Sequence, residues 1–130
     1  MKNLTVMGSG SWGTTFAKVL ADANPEATVT LWARRDEVAQ EIATKHTNSG
    51  YLGELMLPLN VTATSDPGAA LAGADMVVLA VPAQTLREQL TQWVEHIPSE
   101  AIIVSLMKGL ERGTGLRLSL IHISEPTRLL

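Results

Sequence analysis

The sequence contains no cysteine, which excludes disulfide bonds, thiolate metal sites and cysteine nucleophiles. It also has no apolar run of about 18 residues or more, so no membrane-spanning helix is predicted. The first residues lead directly into a strand-like run and lack the longer apolar core of a signal peptide. We therefore expect a cytoplasmic protein, with which the absence of cysteine is compatible.

Positive charge is also scarce for a protein that would hold a nucleic-acid backbone. The 10 Lys and Arg residues are outnumbered by 13 Asp and Glu residues, and the net charge is −3. This balance argues against nucleic acid as a partner. The three histidines share no metal-ligand spacing, and no metal site is predicted. With 130 residues, 45% of them hydrophobic, the chain can form one domain with a buried core.

Apolar runs of strand length alternate with segments of helical period along most of the chain. This alternation predicts a Rossmann-type, doubly wound parallel α/β sheet covered by helices on both faces. Between the second helix and the third strand, residues 47–59 are predicted to be irregular. The predicted strands are residues 4–7, 27–32, 60–64, 76–81 and 101–106, and the predicted helices are residues 12–23, 36–44, 66–73 and 86–94.

Two of the helical segments carry apolar stripes along one face, which is the evidence for their helical period. Positions i, i+3, i+4 and i+7 of the first helix are Phe16, Val19, Leu20 and Ala23. The stripe of the last helix consists of Leu86, Leu90, Trp93 and Val94. We expect Trp32 and Trp93 to be core residues rather than platforms on which a ligand stacks.

Three glycines in the stretch GSGSWG form a G-x-G-x-x-G pattern between the first strand and the first helix. Gly8 would permit a tight turn out of the strand, and Gly10 would let the backbone approach a pyrophosphate. Gly13 would let the helix pack close to the strand. Because a helix amino terminus offers unpaired N–H groups to phosphate, this context predicts a dinucleotide site. The alternative is a glycine-rich turn without a ligand.

The end of the second strand reads LWARRD, where sites that prefer NAD usually have an acidic residue. Arg34 and Arg35 would instead attract a 2′-phosphate, because guanidinium groups match phosphate oxygens. This favours NADPH over NADH, so the expected cofactor is NADP or NAD with NADPH preferred. Asp36 is predicted to be the N-cap of the next helix. Alternatively, both arginines are solvated surface charges.

Five segments, in this order, resemble the N-terminal domain of bacterial NAD(P)-dependent glycerol-3-phosphate dehydrogenases: GSGSWGTTFAKVLA, LWARR, LGELMLPLNVTATSD, ADMVVLAVPAQTLREQL and SLMKGLERGTG. The W-G-T, N-x-x-Y-L, L-P-x-N and K-G-L-E elements are separate and distant, which makes the resemblance specific. It covers residues 1–117, the expected NAD(P)-binding domain.

The resemblance implies hydride transfer between NAD(P)H and dihydroxyacetone phosphate, which gives sn-glycerol 3-phosphate for phospholipid synthesis. Ser11 and Trp12 match positions that touch the cofactor, and Arg34 and Arg35 match its adenosine-ribose end. Lys108 matches a lysine that contacts both cofactor and substrate, and its place after a buried strand suits two anionic ligands. The alternative for Lys108 is an exposed loop lysine.

In this family a helical C-terminal domain carries the catalytic lysine, so no catalytic residue is expected in this chain and the chain alone is expected to be inactive. Residues 118–130, LSLIHISEPTRLL, resemble the translation of a sequencing adapter. Pro126 stands where the family continues a helix, and proline costs about 3 kcal/mol inside a helix. We expect this tail to be non-native, and a natural divergent tail is the alternative.

Two other functions fit the dinucleotide pattern. One is a related Rossmann reductase that acts on a 2-keto or 3-hydroxy acid, against which the K-G-L-E and LWARR segments count. The other is a non-catalytic module that senses NADPH. For the full-length dehydrogenase, a small-molecule substrate and a homodimer are the expected partners.

Overall fold

A computed structural model describes residues 2–81, 83–106 and 128–129 of the chain. The strands are β1 (Asn3–Met7), β2 (Thr28–Trp32), β3 (Val61–Thr64), β4 (Met76–Leu79), β5 (Ile102–Ser105) and β6 (Arg128–Leu129). The helices are α1 (Ser11–Ala23), α2 (Asp36–Lys45), α3 (Ser49–Leu52), α4 (Pro67–Leu71) and α5 (Ala83–Trp93), and α5 is followed by a 3₁₀ turn at Val94–His96.

The strands form one parallel sheet in the order β3-β2-β1-β4-β5-β6. From β1 the chain builds outward through β2 and β3, and it then crosses back to place β4 on the other side of β1. The carboxyl ends of β1 and β4 are therefore neighbours at the point where the direction of winding reverses. Ligands bind at this point in doubly wound sheets, and the predicted fold class is confirmed.

The two faces of the sheet each carry a hydrophobic cluster. On one face, Leu79 of β4 packs with Leu86, Leu90 and Trp93 of α5, as the stripe of the last helix predicted. The other cluster includes Val6 and Val29 together with residues of α1 and α2. Strands buried on both faces are mostly apolar, as the unbroken run in β4 shows. The run in β1 includes one buried polar residue, Thr5, whose hydroxyl donates a hydrogen bond to the carbonyl oxygen of Ala70 at 2.7 Å.

Trp32 and Trp93 are both core residues, as predicted. They are 6% and 1% exposed, and their rings meet edge to face with centroids 5.2 Å apart. The indole nitrogen of Trp32 donates a hydrogen bond to the carbonyl oxygen of Ser65 at 3.0 Å. Neither ring is available for stacking on a ligand.

The predicted first helix is present as α1, but its apolar stripe is not the face that is buried. The residues of α1 that are buried are Gly13, Thr14, Ala17 and Ala21, whereas Val19 is 55% exposed. Phe16 and Leu20 are only partly buried and pack at the border of the core. The apolar stripe in the sequence consists mainly of large side chains. Because α1 lies close to the sheet, the face of the helix that contacts the sheet has only small side chains.

The shorter elements follow their predicted signals. The side chain of Asp66 accepts a hydrogen bond from the backbone N–H of Gly68 at 3.0 Å, with proline at the start of α4. The segment predicted as irregular contains one helical turn, α3, and an antiparallel bridge between Thr47 and Met56. No helix among the described residues is long and apolar enough to cross a membrane.

At the amino edge of the sheet, Asp75 holds the start of β1 against the start of β4. One oxygen of its carboxylate accepts hydrogen bonds from the backbone N–H groups of Lys2 and Asn3, both at 2.9 Å. The N–H of Asn3, and then that of Lys2, stabilise the charged form and lower the pKa of Asp75. The bonds therefore contribute stability above the ordinary pKa range of aspartate, and that contribution is lost as the pH falls through the lowered pKa.

We predict that Asp75→Asn lowers the urea midpoint of unfolding at pH 7, because a neutral amide oxygen is a weaker acceptor than a carboxylate. The difference from the unaltered chain should shrink as the pH falls below the usual range of aspartate pKa values. Denaturation curves at several pH values measure this, with Glu54→Gln at an exposed position as the matched control. Equal midpoints at pH 7, or a difference that does not change with pH, would contradict the assignment.

Candidate functional site

The glycine-rich turn lies at the carboxyl end of β1, directly beside the end of β4. Gly8 has φ +133°, a conformation that side chains rarely adopt. A Cβ at Gly8 would stand 2.7 Å from the carbonyl oxygen of Ala80, which follows β4. Glycine is therefore required here both by the backbone conformation and by the close approach of the β4 chain.

Gly13 lies in the first turn of α1, where the helix meets the turn. A Cβ at Gly13 would collide with the carbonyl oxygen of Gly8 and lie 3.3 Å from the Cβ of Ala80. The backbone at Gly13 thus packs directly against the backbone at Gly8, and Ala80 lies beside both. This agrees with the predicted role of Gly13 in close packing of the helix and the strand.

Gly10 differs from the other two glycines, because no protein atom requires it. Its φ of −71° and ψ of −172° are open to any residue, and a Cβ would meet nothing within 4 Å. Open space in front of Gly10 is what a phosphate lying against the backbone needs. This space is compatible with the predicted contact between Gly10 and a pyrophosphate, and that contact stays a prediction.

The amino terminus of α1 has the electrostatic properties of an anion site. Gly10 is its N-cap and provides no side-chain cap, and the first turn has no acidic residue. The helix dipole and the first N–H groups are thus available to an anion. Ser11 and Trp12, both predicted to touch a cofactor, begin this helix and are exposed, and the side chain of Trp12 is 81% exposed.

Arg34 and Arg35 lie in the exposed connection from β2 to α2, at the same edge of the sheet. Nε of Arg35 forms an ion pair with Glu37 at 2.8 Å. None of the ion pairs among the described residues includes Arg34. The two arginines therefore differ in how readily they could bind a phosphate, because Arg35 would first have to release Glu37.

The prediction that Asp36 is the N-cap of α2 is wrong. Arg35 has the extended backbone of an N-cap, and Asp36 is already in the helix. The carboxylate of Asp36 accepts hydrogen bonds from the hydroxyl of Ser65 and the side-chain amide of Gln40, both at 3.1 Å. An acidic residue in the first turn is favourable for the helix dipole, which is its role here.

Asn48 and Thr14 form hydrogen bonds with the glycine-rich turn, and the sequence predicted no role for either residue. The side-chain amide of Asn48 donates to the carbonyl oxygen of Ser9 at 2.7 Å and to the hydroxyl of Thr14 at 2.9 Å. The hydroxyl of Thr14 also bonds the carbonyl oxygen of Ser9, at 2.9 Å. Asn48 belongs to the N-x-x-Y-L element and Thr14 to the W-G-T element. These elements indicated a family, but they did not indicate that the two side chains lie in contact.

Glu41 of α2 anchors the segment that carries Asn48. Its carboxylate accepts hydrogen bonds from the hydroxyl of Thr47 at 2.7 Å and from the backbone N–H and hydroxyl of Ser49 at 2.8 and 3.2 Å. The bond from Thr47, followed by that from the N–H of Ser49, lowers the pKa of Glu41. Glu41 therefore stays charged at neutral pH and holds the segment from both sides of Asn48.

Lys108 lies outside the described residues, so its predicted contact with cofactor and substrate stays a prediction. Within the described part of the chain, no group of three or more His, Asp or Glu residues could hold a metal ion. The site at the carboxyl edge thus consists of the glycine-rich turn, the start of α1 and the two arginines.

Residues 3–126 match the family described as NAD-dependent glycerol-3-phosphate dehydrogenase N-terminus. The chain belongs to this family.

Curated relatives of the glycerol-3-phosphate dehydrogenase family agree with the match. The chain is 58% identical over 120 residues to glycerol-3-phosphate dehydrogenase [NAD(P)+] of Corynebacterium urealyticum, which covers 92% of the chain and 35% of the relative. It is 59% identical over 114 residues to the protein of the same name from Corynebacterium diphtheriae, covering 88% and 34%. The chain thus spans about a third of the length of these relatives.

Solved structures of glycerol-3-phosphate dehydrogenases share the fold. The enzyme from Saccharomyces cerevisiae superposes with a TM-score of 0.85 at 31% identity, over 98% of this chain and 40% of that one. The enzyme from Coxiella burnetii gives a TM-score of 0.84 at 26% identity, over 98% and 39%.

We predict that alanine lowers the stability at one glycine of the turn and leaves it nearly unchanged at another. Gly13→Ala should lower the melting temperature by at least about 5 °C, because the Cβ meets a backbone carbonyl that cannot move away cheaply. Gly10→Ala should leave the melting temperature within about 2 °C, because its Cβ meets no protein atom. Thermal unfolding followed by circular dichroism measures both. Equal melting temperatures for the two variants would contradict the packing described here.

Proposed function

We propose that this chain is the cofactor-binding domain of a glycerol-3-phosphate dehydrogenase, and that it holds the pyrophosphate of NADPH or NADH at the start of α1. The observation that carries the proposal is the open space in front of Gly10, beside glycines whose Cβ positions are blocked by protein. A turn with no ligand would need Gly8 and Gly13 but not Gly10. The family match over residues 3–126 supports this dehydrogenase over the related reductases.

The nicotinamide cofactor would supply a hydride to C2 of dihydroxyacetone phosphate, with sn-glycerol 3-phosphate as the product. The residues of this chain would bind and orient the cofactor: the turn at residues 8–13 at the pyrophosphate, and the arginines at the adenosine ribose. From the resemblance, we assign Lys108 to both anionic ligands. Proton transfer to the ketone oxygen needs a positioned acid, which typically contributes about 100- to 10,000-fold in rate. We assign that acid to the remaining two-thirds of the enzyme, so the 130-residue chain should not turn over substrate.

The arginines support a preference for NADPH. An acidic residue that faced the ribose at the end of β2 would repel a 2′-phosphate. The acidic residue nearest to this point, Asp36, accepts hydrogen bonds from Ser65 and Gln40 within the protein. Arg34, which has no ion-pair partner among the described residues, is the better candidate for a direct contact with phosphate. Arg35 would contribute after its pair with Glu37 opens, and this exposed pair is weak.

Three further properties belong to the proposal: residues 1–117 as the native domain with a non-native tail at 118–130, a cytoplasmic location, and a homodimer of the full-length enzyme. Genomic DNA downstream of codon 117 tests the first of these. An open reading frame that continues after codon 117 with a different sequence supports a non-native tail. Genomic codons that encode LSLIHISEPTRLL at this place would refute it.

We predict that Gly10→Ala weakens NADPH binding by at least about tenfold while the fold persists. The added Cβ would occupy the space proposed for the pyrophosphate, and a lost charge-assisted hydrogen bond costs about 1.5–3 kcal/mol. Isothermal titration of NADPH into the 130-residue chain and into the variant measures the effect. Unchanged affinity in a variant with an unchanged circular dichroism spectrum would place the cofactor elsewhere.

We also predict that the double variant Arg34→Ala, Arg35→Ala weakens NADPH much more than NADH. The two cofactors differ only in the 2′-phosphate, so the ratio of their dissociation constants isolates this contact. Lys2→Ala, Lys45→Ala is the matched control, because it removes two positive charges elsewhere and should leave the ratio unchanged. Equal losses for the two cofactors would refute the assignment of the arginines.

A further inference from the structure

Two of the buried polar residues in the described part of the chain act on one carbonyl group. Asn48 is 1% exposed and Thr14 is fully buried, and both bond the carbonyl oxygen of Ser9, at 2.7 and 2.9 Å. Buried polar groups are costly unless they are bonded, so this triad has a defined geometry. The carbonyl it holds lies in the middle of the glycine-rich turn.

Holding this carbonyl also orients the next N–H group. A trans peptide is planar, and its C=O and N–H point in opposite directions. When Asn48 and Thr14 hold the oxygen of Ser9 toward the protein interior, the N–H of Gly10 is directed away from them. Glycine residues give the turn enough freedom for this peptide to rotate if it is not held. A rotated peptide would present a carbonyl oxygen, which is a partial negative charge, in place of an N–H donor.

The segment that carries Asn48 is itself fixed. Glu41 bonds the residues on either side of Asn48, and the carbonyl oxygen of Asn48 accepts the N–H groups of Tyr51 and Leu52 at 3.1 and 2.8 Å. The N–H of Leu57 donates to the carbonyl oxygen of His46 at 2.7 Å and closes the loop. Asn48 can therefore act on the turn from a stable position.

We propose that Asn48, acting with Thr14, is a positioning residue for the dinucleotide site: it locks the Ser9–Gly10 peptide so that the turn presents N–H donors, and no carbonyl oxygen, to the pyrophosphate. This inference rests on the proposed function. It adds a residue 38 positions from Gly10 in the sequence to the machinery of the site. Because every dinucleotide carries the pyrophosphate, the effect should be the same for NADPH and NADH.

The first test is Asn48→Ala, with dissociation constants for NADPH and NADH measured by calorimetry on the 130-residue chain. We expect both to rise by roughly tenfold and by the same factor, with their ratio unchanged. The matched control is Asn60→Ala, which removes an amide that bonds the carbonyl oxygens of Ala21, Asn24 and Ala27 at 3.2, 3.2 and 2.9 Å. Asn60→Ala should lower the melting temperature and leave both affinities unchanged, because these carbonyls lie at the opposite edge of the sheet.

A second pair of variants keeps the test decisive if Asn48→Ala does not fold. Thr14→Val preserves the shape of the side chain but removes the hydroxyl that bonds Ser9 and Asn48, whereas Thr14→Ser keeps the hydroxyl. We expect Thr14→Val to weaken both cofactors and Thr14→Ser to bind close to normally. The backbone amide resonance of Gly10 in the free protein should shift in Thr14→Val and remain near its original position in Thr14→Ser.

The outcomes separate this inference from the proposed function. If the unaltered chain binds neither NADPH nor NADH, the proposed function fails, and the positioning role fails with it. If the unaltered chain binds them and folded Asn48→Ala and Thr14→Val bind equally well, the positioning role alone is overturned. A loss confined to NADPH would also overturn it, because it would connect Asn48 with the 2′-phosphate instead of the turn.

Discussion

The candidate site depends on a close contact in which the end of β1, the start of α1 and the chain that follows β4 meet, with two glycines that contribute no side chain. Gly8 lies against the carbonyl of Ala80, and Gly13 lies against the carbonyl of Gly8. This contact brings the start of α1 to the point where the winding of the sheet reverses. Any side chain at either glycine would push the helix away and move its N–H groups from the carboxyl edge.

The close approach also explains the composition of α1. Its buried face has only glycine, threonine and alanine, since larger side chains would separate the helix from β1 and β2. The one polar side chain on that face, Thr14, is satisfied by the carbonyl of Ser9 and the amide of Asn48. Packing and polar bonding thus act on the same few atoms of the turn. The part of the turn left without a packing requirement is Gly10, which is the part that faces a ligand in the proposed function.

Most of the fold follows from local signals in the sequence. Short, largely apolar runs predicted β1 and β4, because strands buried on both faces have few polar positions. The Asp66-Pro67 pair predicted the start of α4 through a cap that depends on two adjacent residues. The glycine pattern predicted both the turn and its place beside a helix. These features are determined by neighbours in the chain, and so they can be read without knowledge of the tertiary structure.

The features that the sequence did not predict depend on residues that are distant in the chain. The buried face of α1 depends on how near the helix lies to the sheet, which no helical period records. The assignment of Asp36 as a cap failed because the extended backbone falls one residue earlier, at Arg35, and the carboxylate is turned toward Ser65 near the end of β3. Asn48 was missed because its partners, Ser9 and Thr14, are 39 and 34 positions away. A polar residue in a loop gives no local sign that it is buried.

In the proposed function, the pyrophosphate of the cofactor binds at the start of α1, at the carboxyl edge of the sheet. The most direct test is to follow backbone amide resonances of the 130-residue chain by NMR while NADPH is added. We expect the largest shifts at the amide resonances of residues 10–13. A cleft lined in part by Asn3, Asp75 and Glu100 lies at the amino edge of the same sheet. Shifts concentrated around that cleft, with the resonances of residues 10–13 unchanged, would show that NADPH does not bind at the start of α1.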